Sequence, residues 1–154
     1  MDDDRITIPQ SISSYGLLSG QMLLLCTFIG FFCKHYLLCV FGIIIYVTTM
    51  LHWSKLRNDY ILYLDIFFVV ITLLIITFYY AFYFFKKKYR NIWFIALFLT
   101  TIIFSLNEYF YLNFIENNEF IMNESIMKIN VVIHILFLHI ILPITYIYCS
   151  VLSL

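Results

Sequence analysis

Five long apolar runs set the limits on what this chain can fold into. They cover about Tyr15 to Phe32, Tyr36 to Leu51, Tyr60 to Phe85, Ile92 to Leu112 and Ile129 to Leu152. A helix needs roughly 20 apolar residues to cross the hydrocarbon layer. The third, fourth and fifth runs meet that length. The first two are short, and only Cys33, Lys34 and His35 separate them. They predict either a helical hairpin or one span that crosses only in part. Lipid offers no hydrogen bonds, so each run must satisfy its own backbone as a helix. None of the runs alternates with period two, which excludes a transmembrane β-barrel.

Composition agrees. Hydrophobic residues make up 64% and charged residues 12%, with a mean hydropathy of +0.96. An ordinary soluble domain is about half apolar and about a quarter charged. A soluble globular enzyme is therefore excluded, and so is a disordered chain, which needs low hydrophobicity. Nine Lys and Arg balance nine Asp and Glu, which argues against a nucleic-acid partner. Ile, Asn, Tyr, Phe and Lys outnumber Ala, Gly and Pro, a bias of AT-rich genomes such as those of viruses, organelles and some protists. No repeat and no long linker divides the chain. Residues 1–154 are expected to form one all-α transmembrane domain of about five helices, with the lipid bilayer as its main partner.

Cys26, Cys33, Cys39 and Cys149 form no Cys-x-x-Cys pair. They lie in or beside apolar runs, where cysteine acts as a small hydrophobe. Neither a disulfide framework nor a cysteine zinc site is expected. The start, Met1-Asp2-Asp3-Asp4-Arg5, is acidic, whereas a secretory signal needs a positive leader. The first apolar run is thus expected to be a retained helix.

Charge clustering predicts orientation. Lys86-Lys87-Lys88-Tyr89-Arg90 is read as a basic loop after the third run, the kind that stays cytoplasmic. The connection after the fourth run is acidic, with Glu116, Glu119 and Glu124. Five spans then place the N-terminus on the non-cytoplasmic, acidic side and the C-terminus in the cytoplasm. Asn123-Glu124-Ser125 is a glycosylation sequon on the acidic side. Trp53, Tyr60, Tyr63, Tyr79, Tyr80, Tyr83 and Trp93 fall near helix ends, as an interfacial aromatic belt would. Gly16 and Gly20 form a Gly-x-x-x-Gly that permits close approach of another helix.

Ionisable groups inside the apolar runs are costly and mark pairing or function. They are Asp65, Glu108, His134 and His139, with His52 closing the second run and Thr48 one turn before it. At 1.5 Å per residue, Asp65 and His134 sit about 8 Å deep and His139 about 15 Å deep, all from the acidic side. Glu108 lies about one turn short of its own exit there. All of these groups therefore fall in one half of the bundle, as a shared polar site or hydrogen-bond network would require. The other half holds His35 and little else.

Thr48 and His52 at the end of one helix, Asp65 early in the next, and two histidines in the last helix have a recognisable shape. Together they resemble the ceramidase-like membrane hydrolases, which include the alkaline ceramidases and the progestin/adipoQ-type receptors. The resemblance implies a zinc ion held by His52, His134 and His139. It implies Asp65 as acid/base partner, and Thr48 in place of that family's serine. The chemistry implied is metal activation of water for attack on a lipid amide. The histidines here are spaced His134-x4-His139. On a regular helix, five steps of 100° place them about 140° apart. A π-turn ahead of Pro143, whose ring clashes with the carbonyl of residue 139, would bring them together.

Two functions follow. One is a small non-catalytic multi-pass membrane protein, an accessory subunit or a viral or organellar membrane component with other membrane subunits as candidate partners, whose polar half is glue between helices. The other is the zinc-dependent lipid-amide hydrolase. A proton path through Asp65, Glu108 and the histidines is a third idea, opposed by the lack of ionisable groups in the basic half.

Overall fold

The computed structural model describes residues 10–54, 59–117 and 124–154. The acidic residues 2–4, Glu119 and the sequon asparagine Asn123 lie outside them. The described chain is all-α, with five helices long and apolar enough to cross a membrane. Helix α1 is Gln10–Phe32 and α2 is Tyr36–Trp53. Helix α3 runs over Asp59–Ile75, passes through a π-helical turn at Ile76–Tyr80 and ends with Ala81–Tyr83. Helix α4 is Lys87–Asn117. Helix α5 comprises Glu124–His134, a π-helical stretch at Ile135–Ile141 and Leu142–Val151.

The first two runs form the hairpin, and both are long enough to cross. Lys34 makes the turn in the left-handed region, with φ of 60°. The His35 N–H donates to the Gly30 carbonyl at 2.8 Å and the Lys34 N–H to the Phe31 carbonyl at 3.1 Å. This is a Schellman motif, with lysine at the position glycine usually fills. The basic segment read as a loop is mostly helical: Lys87, Lys88 and Arg90 belong to the first turn of α4. Its amphipathic long side chains tolerate a helix start, so only a short turn after Tyr83 separates α3 from α4.

Helices α1 and α2 pack along most of their length. The Gly-x-x-x-Gly stripe makes this possible. A methyl group at Gly16 would overlap the Trp53 ring, and one at Gly20 would overlap the end of Met50. Beyond this pair, α3 packs on α2, α5 packs on α1, and α4 packs on α5. Helices α3 and α4 meet chiefly at their joined ends. There the Trp93 indole N–H donates to the Thr77 hydroxyl at 3.2 Å, and Phe82 and Phe94 meet edge to face. The Asp59–Ile75 part of α3 makes no extensive contact with α4 among the described residues.

The core is correspondingly uneven. A large cluster around Leu38, Ile76, Tyr80, Phe85, Trp93 and Tyr146 fills the basic half. Among the described residues, the acidic half has Trp53, Val131 and Ile135 as its buried cluster. Many large apolar side chains, such as Leu18, Phe28, Phe67, Phe98 and Phe110, face outward. In water such a surface would be an extended apolar patch; against lipid it is the ordinary exterior of a span. The aromatic belt needs correction. Tyr60, Tyr63, Tyr79 and Tyr83 are exposed, but Trp53, Tyr80 and Trp93 are buried in the two clusters. Gly16 makes room for Trp53, and the Thr77 acceptor lets Trp93 bury its polar N–H.

Candidate functional site

A cavity of about 640 Å³ runs from the loosely filled acidic half to Leu38, Trp93 and Tyr146 of the larger cluster. Its wall includes His52, Asp65, Glu108, His134 and His139, the ionisable groups that depth alone assigned to one half. Four helices supply them: α2, α3, α4 and α5.

Asp65 is held by two hydroxyls of α2. Thr48 Oγ1 donates to Asp65 Oδ1 at 2.6 Å, and Thr49 Oγ1 donates to the same oxygen at 2.8 Å. Thr48 and Asp65, singled out in the sequence, are thus direct partners. Thr49 was missed, although it stands one residue closer to His52 and is almost wholly buried. Glu108 Oε1 accepts from Asn130 Nδ2 at 3.2 Å, and Asn107 Nδ2 donates to the Asn130 carbonyl at 3.3 Å. The first pair locks α3 to α2 and the second locks α4 to α5.

The two histidines of α5 meet because the helix changes pitch. His134 precedes the π-helical stretch and His139 lies inside it. Pro143 has no N–H to donate and its ring crowds the preceding turn. At the end of the stretch the Leu142 N–H reaches the Phe137 carbonyl five residues back. A five-residue closure brings positions five apart toward one face. The rings of His134 and His139 are 5.4 Å apart, centroid to centroid. Phe104 of α4 lies against the His134 ring at 5.5 Å, and Trp53 of α2 at 6.3 Å.

His139 is buried, and its Nδ1 lies 3.1 Å from Ser19 Oγ. Ser19 Oγ also donates to the Gly16 carbonyl at 2.9 Å. A hydroxyl has one proton, so whether Ser19 accepts from His139 or donates to it follows the imidazole tautomer. Ser19 gave no signal in the sequence, because a lone serine in an apolar run is usually satisfied by its own helix.

The zinc implied by the family resemblance requires nitrogens gathered about one ion, each at about 2.0–2.1 Å. Among the described residues no three His, Cys, Asp or Glu side chains are placed to hold a metal ion. His52, His134 and His139 share the cavity wall but do not converge on one point. As they stand, these residues do not fit the three-histidine zinc site.

Away from this half, the basic end has a polar pair of its own. His35 Nδ1 lies 2.8 Å from the Tyr146 hydroxyl, and the His35 ring rests against Tyr80 at 4.4 Å. Burial holds the His35 imidazole down at about 4, from an ordinary value of 6.5. It is therefore neutral near pH 7, a state in which Nδ1 can accept from Tyr146. The expectation that this half held little beyond His35 omitted the tyrosine that satisfies it.

Comparison with protein-family models, with curated proteins and with solved structures finds no match to this chain.

Proposed function

We propose that this chain is a non-catalytic multi-pass membrane component whose cavity holds one amphiphilic molecule drawn from the bilayer. One observation carries the reading: the cavity has its ionisable groups gathered at one end and mostly apolar walls elsewhere. Binding sites commonly have this character, apolar walls with a few placed polar groups and a volume of about 300–1,000 Å³. Ile66 and Val70 of α3 and Thr101 of α4 line the cavity and are also exposed on the outer surface. The cavity thus opens sideways, between α3 and α4, toward lipid.

Orientation belongs to the same proposal. Lys86 Nζ donates to the Leu152 carbonyl at 3.2 Å, so the basic turn and the C-terminal end share one side. Clustered lysines favour the cytoplasm for that side.

Trp53 and Trp93 are the two tryptophans of the chain, and both line the cavity. Titration of 12-bromododecanol into the protein in nanodiscs should quench their emission saturably. Val69→Phe, which fills the wall of α3, should weaken the quenching. Linear, unsaturable quenching equal to that of bulk lipid would sink the reading.

A second reading, the lipid-amide hydrolase, is favoured by the Thr48–Asp65 hydrogen bond and by the approach of His134 to His139. Metal analysis of the purified protein separates the two. Stoichiometric zinc, lost in His134→Ala, supports the hydrolase; a metal-free protein with saturable amphiphile binding supports the first reading.

A further inference from the structure

We propose that the cavity selects an amphiphile with a primary ammonium head group. This rests on the reading of the cavity as an amphiphile site and specifies the chemistry of its occupant.

The polar end of the cavity is rich in acceptors. Two carboxyl groups, Asp65 and Glu108, line it, and among the described residues no lysine or arginine does. The donors that hold these carboxyls, Thr48, Thr49 and Asn130, are already committed to them. An alkylcarboxylate brings only acceptors and a negative charge, and so is opposed on both counts. A trimethylammonium brings charge but no N–H. A primary ammonium brings one positive charge and three donors with no acceptor, so it can donate to a carboxyl of this wall where a trimethylammonium cannot.

A second observation points to a ligand in the same space. Thr100 of α4 lines the cavity, is 2% exposed, and its hydroxyl has no hydrogen-bond partner. Thr72 of α3 lines it too, with a buried hydroxyl equally unpaired. Buried hydroxyls are normally satisfied. Thr100 is eight residues from Glu108, about 12 Å along the helix at 1.5 Å per residue. An occupant whose ammonium sits at Glu108 reaches the Thr100 hydroxyl with the middle of its chain. A hydroxyl or carbonyl there would satisfy it.

The test uses the whole protein in nanodiscs of neutral lipid. Dodecylamine, dodecyltrimethylammonium, dodecanol and dodecanoate are titrated separately, and tryptophan emission is followed. Dodecylamine should bind at least about tenfold tighter than dodecanol and than the trimethyl compound, since losing a built hydrogen bond is strongly discriminating. Glu108→Gln should remove most of that preference, read as the ratio of amine to alcohol affinity in the same protein. The glutamine keeps an oxygen for Asn130, so this variant tests the assignment even if Asp65→Asn fails to fold. Equal affinity for amine and alcohol, or a preference for the trimethyl compound or the carboxylate, overturns the head-group assignment and leaves the cavity reading standing. Absence of saturable binding by all four compounds removes both.

Discussion

At the scale of single residues, Lys34 and His35 show how a three-residue connection carries two separate strains. Lys34 adopts the left-handed conformation, φ 60°, which costs an ordinary residue about 1–2 kcal/mol. Glycine avoids that cost but loses more entropy on folding. Lys34→Gly is therefore expected to raise stability by a net of about 0.5–1 kcal/mol, read as a higher thermal midpoint in detergent. His35 is held neutral by burial, at about 4 against an ordinary 6.5. Between those two values the unfolded chain binds a proton that the folded chain refuses, so folding loses stability as pH falls through that window. The contribution is fully present above 6.5 and is lost by about 4. Thermal unfolding at pH 7 and pH 5 should show a drop for the native chain and a smaller one for His35→Asn. An equal drop in both would assign the pH dependence to other groups.

The elements themselves follow from simple patterns, but their phase does not. Each apolar run became a helix within a few residues of its expected limits, because a helix is the one structure that satisfies an isolated backbone in lipid. Which way a side chain faces depends on pitch. In α5 the missing N–H of Pro143 loosens the ladder, and the π-helical stretch brings His139 beside His134. Pro143→Ala restores a donor at that position. The regular ladder should re-form, and amide hydrogen exchange over 135–141 should slow while the two imidazoles part. Unchanged exchange there would show that packing on α1 and α4, rather than the proline, holds the π-helical stretch. The π-helical turn of α3 has no proline; it is anchored by the Thr77 hydroxyl under Trp93 and by Tyr80 against the His35 ring.

For the molecule as a whole, five helices close into an incomplete ring, tight where α3 joins α4 and open toward the acidic end. The basic turn and the C-terminal residues meet at the tight end through Lys86 and Leu152. Cysteines introduced at Lys87 and Leu154 in a cysteine-free background should react with an impermeant maleimide from the same side of sealed vesicles. A cysteine at Asp3 should react only from the other side. Labelling of Lys87→Cys and Leu154→Cys from opposite sides would contradict the antiparallel arrangement.

The sequence by itself determined the helices, their number and the depth of each ionisable residue. Those quantities depend on apolar run length and on a fixed rise of about 1.5 Å per residue. Depth alone sufficed to bring His52, Asp65, Glu108, His134 and His139 to one half of the bundle. Only the tertiary structure decided who meets whom. The neighbours α3–α2–α1–α5–α4, the double hydroxyl grip of Thr48 and Thr49 on Asp65, and the Ser19 partner of His139 all depend on helix rotation and on contacts between distant segments. The burial of Trp53 and Trp93 had the same origin: position near a helix end is local, but facing inward against Gly16 or Thr77 is not. Lipid enforces helices through the backbone, yet it discriminates little among the apolar faces those helices present, so packing and a few hydrogen bonds choose between them.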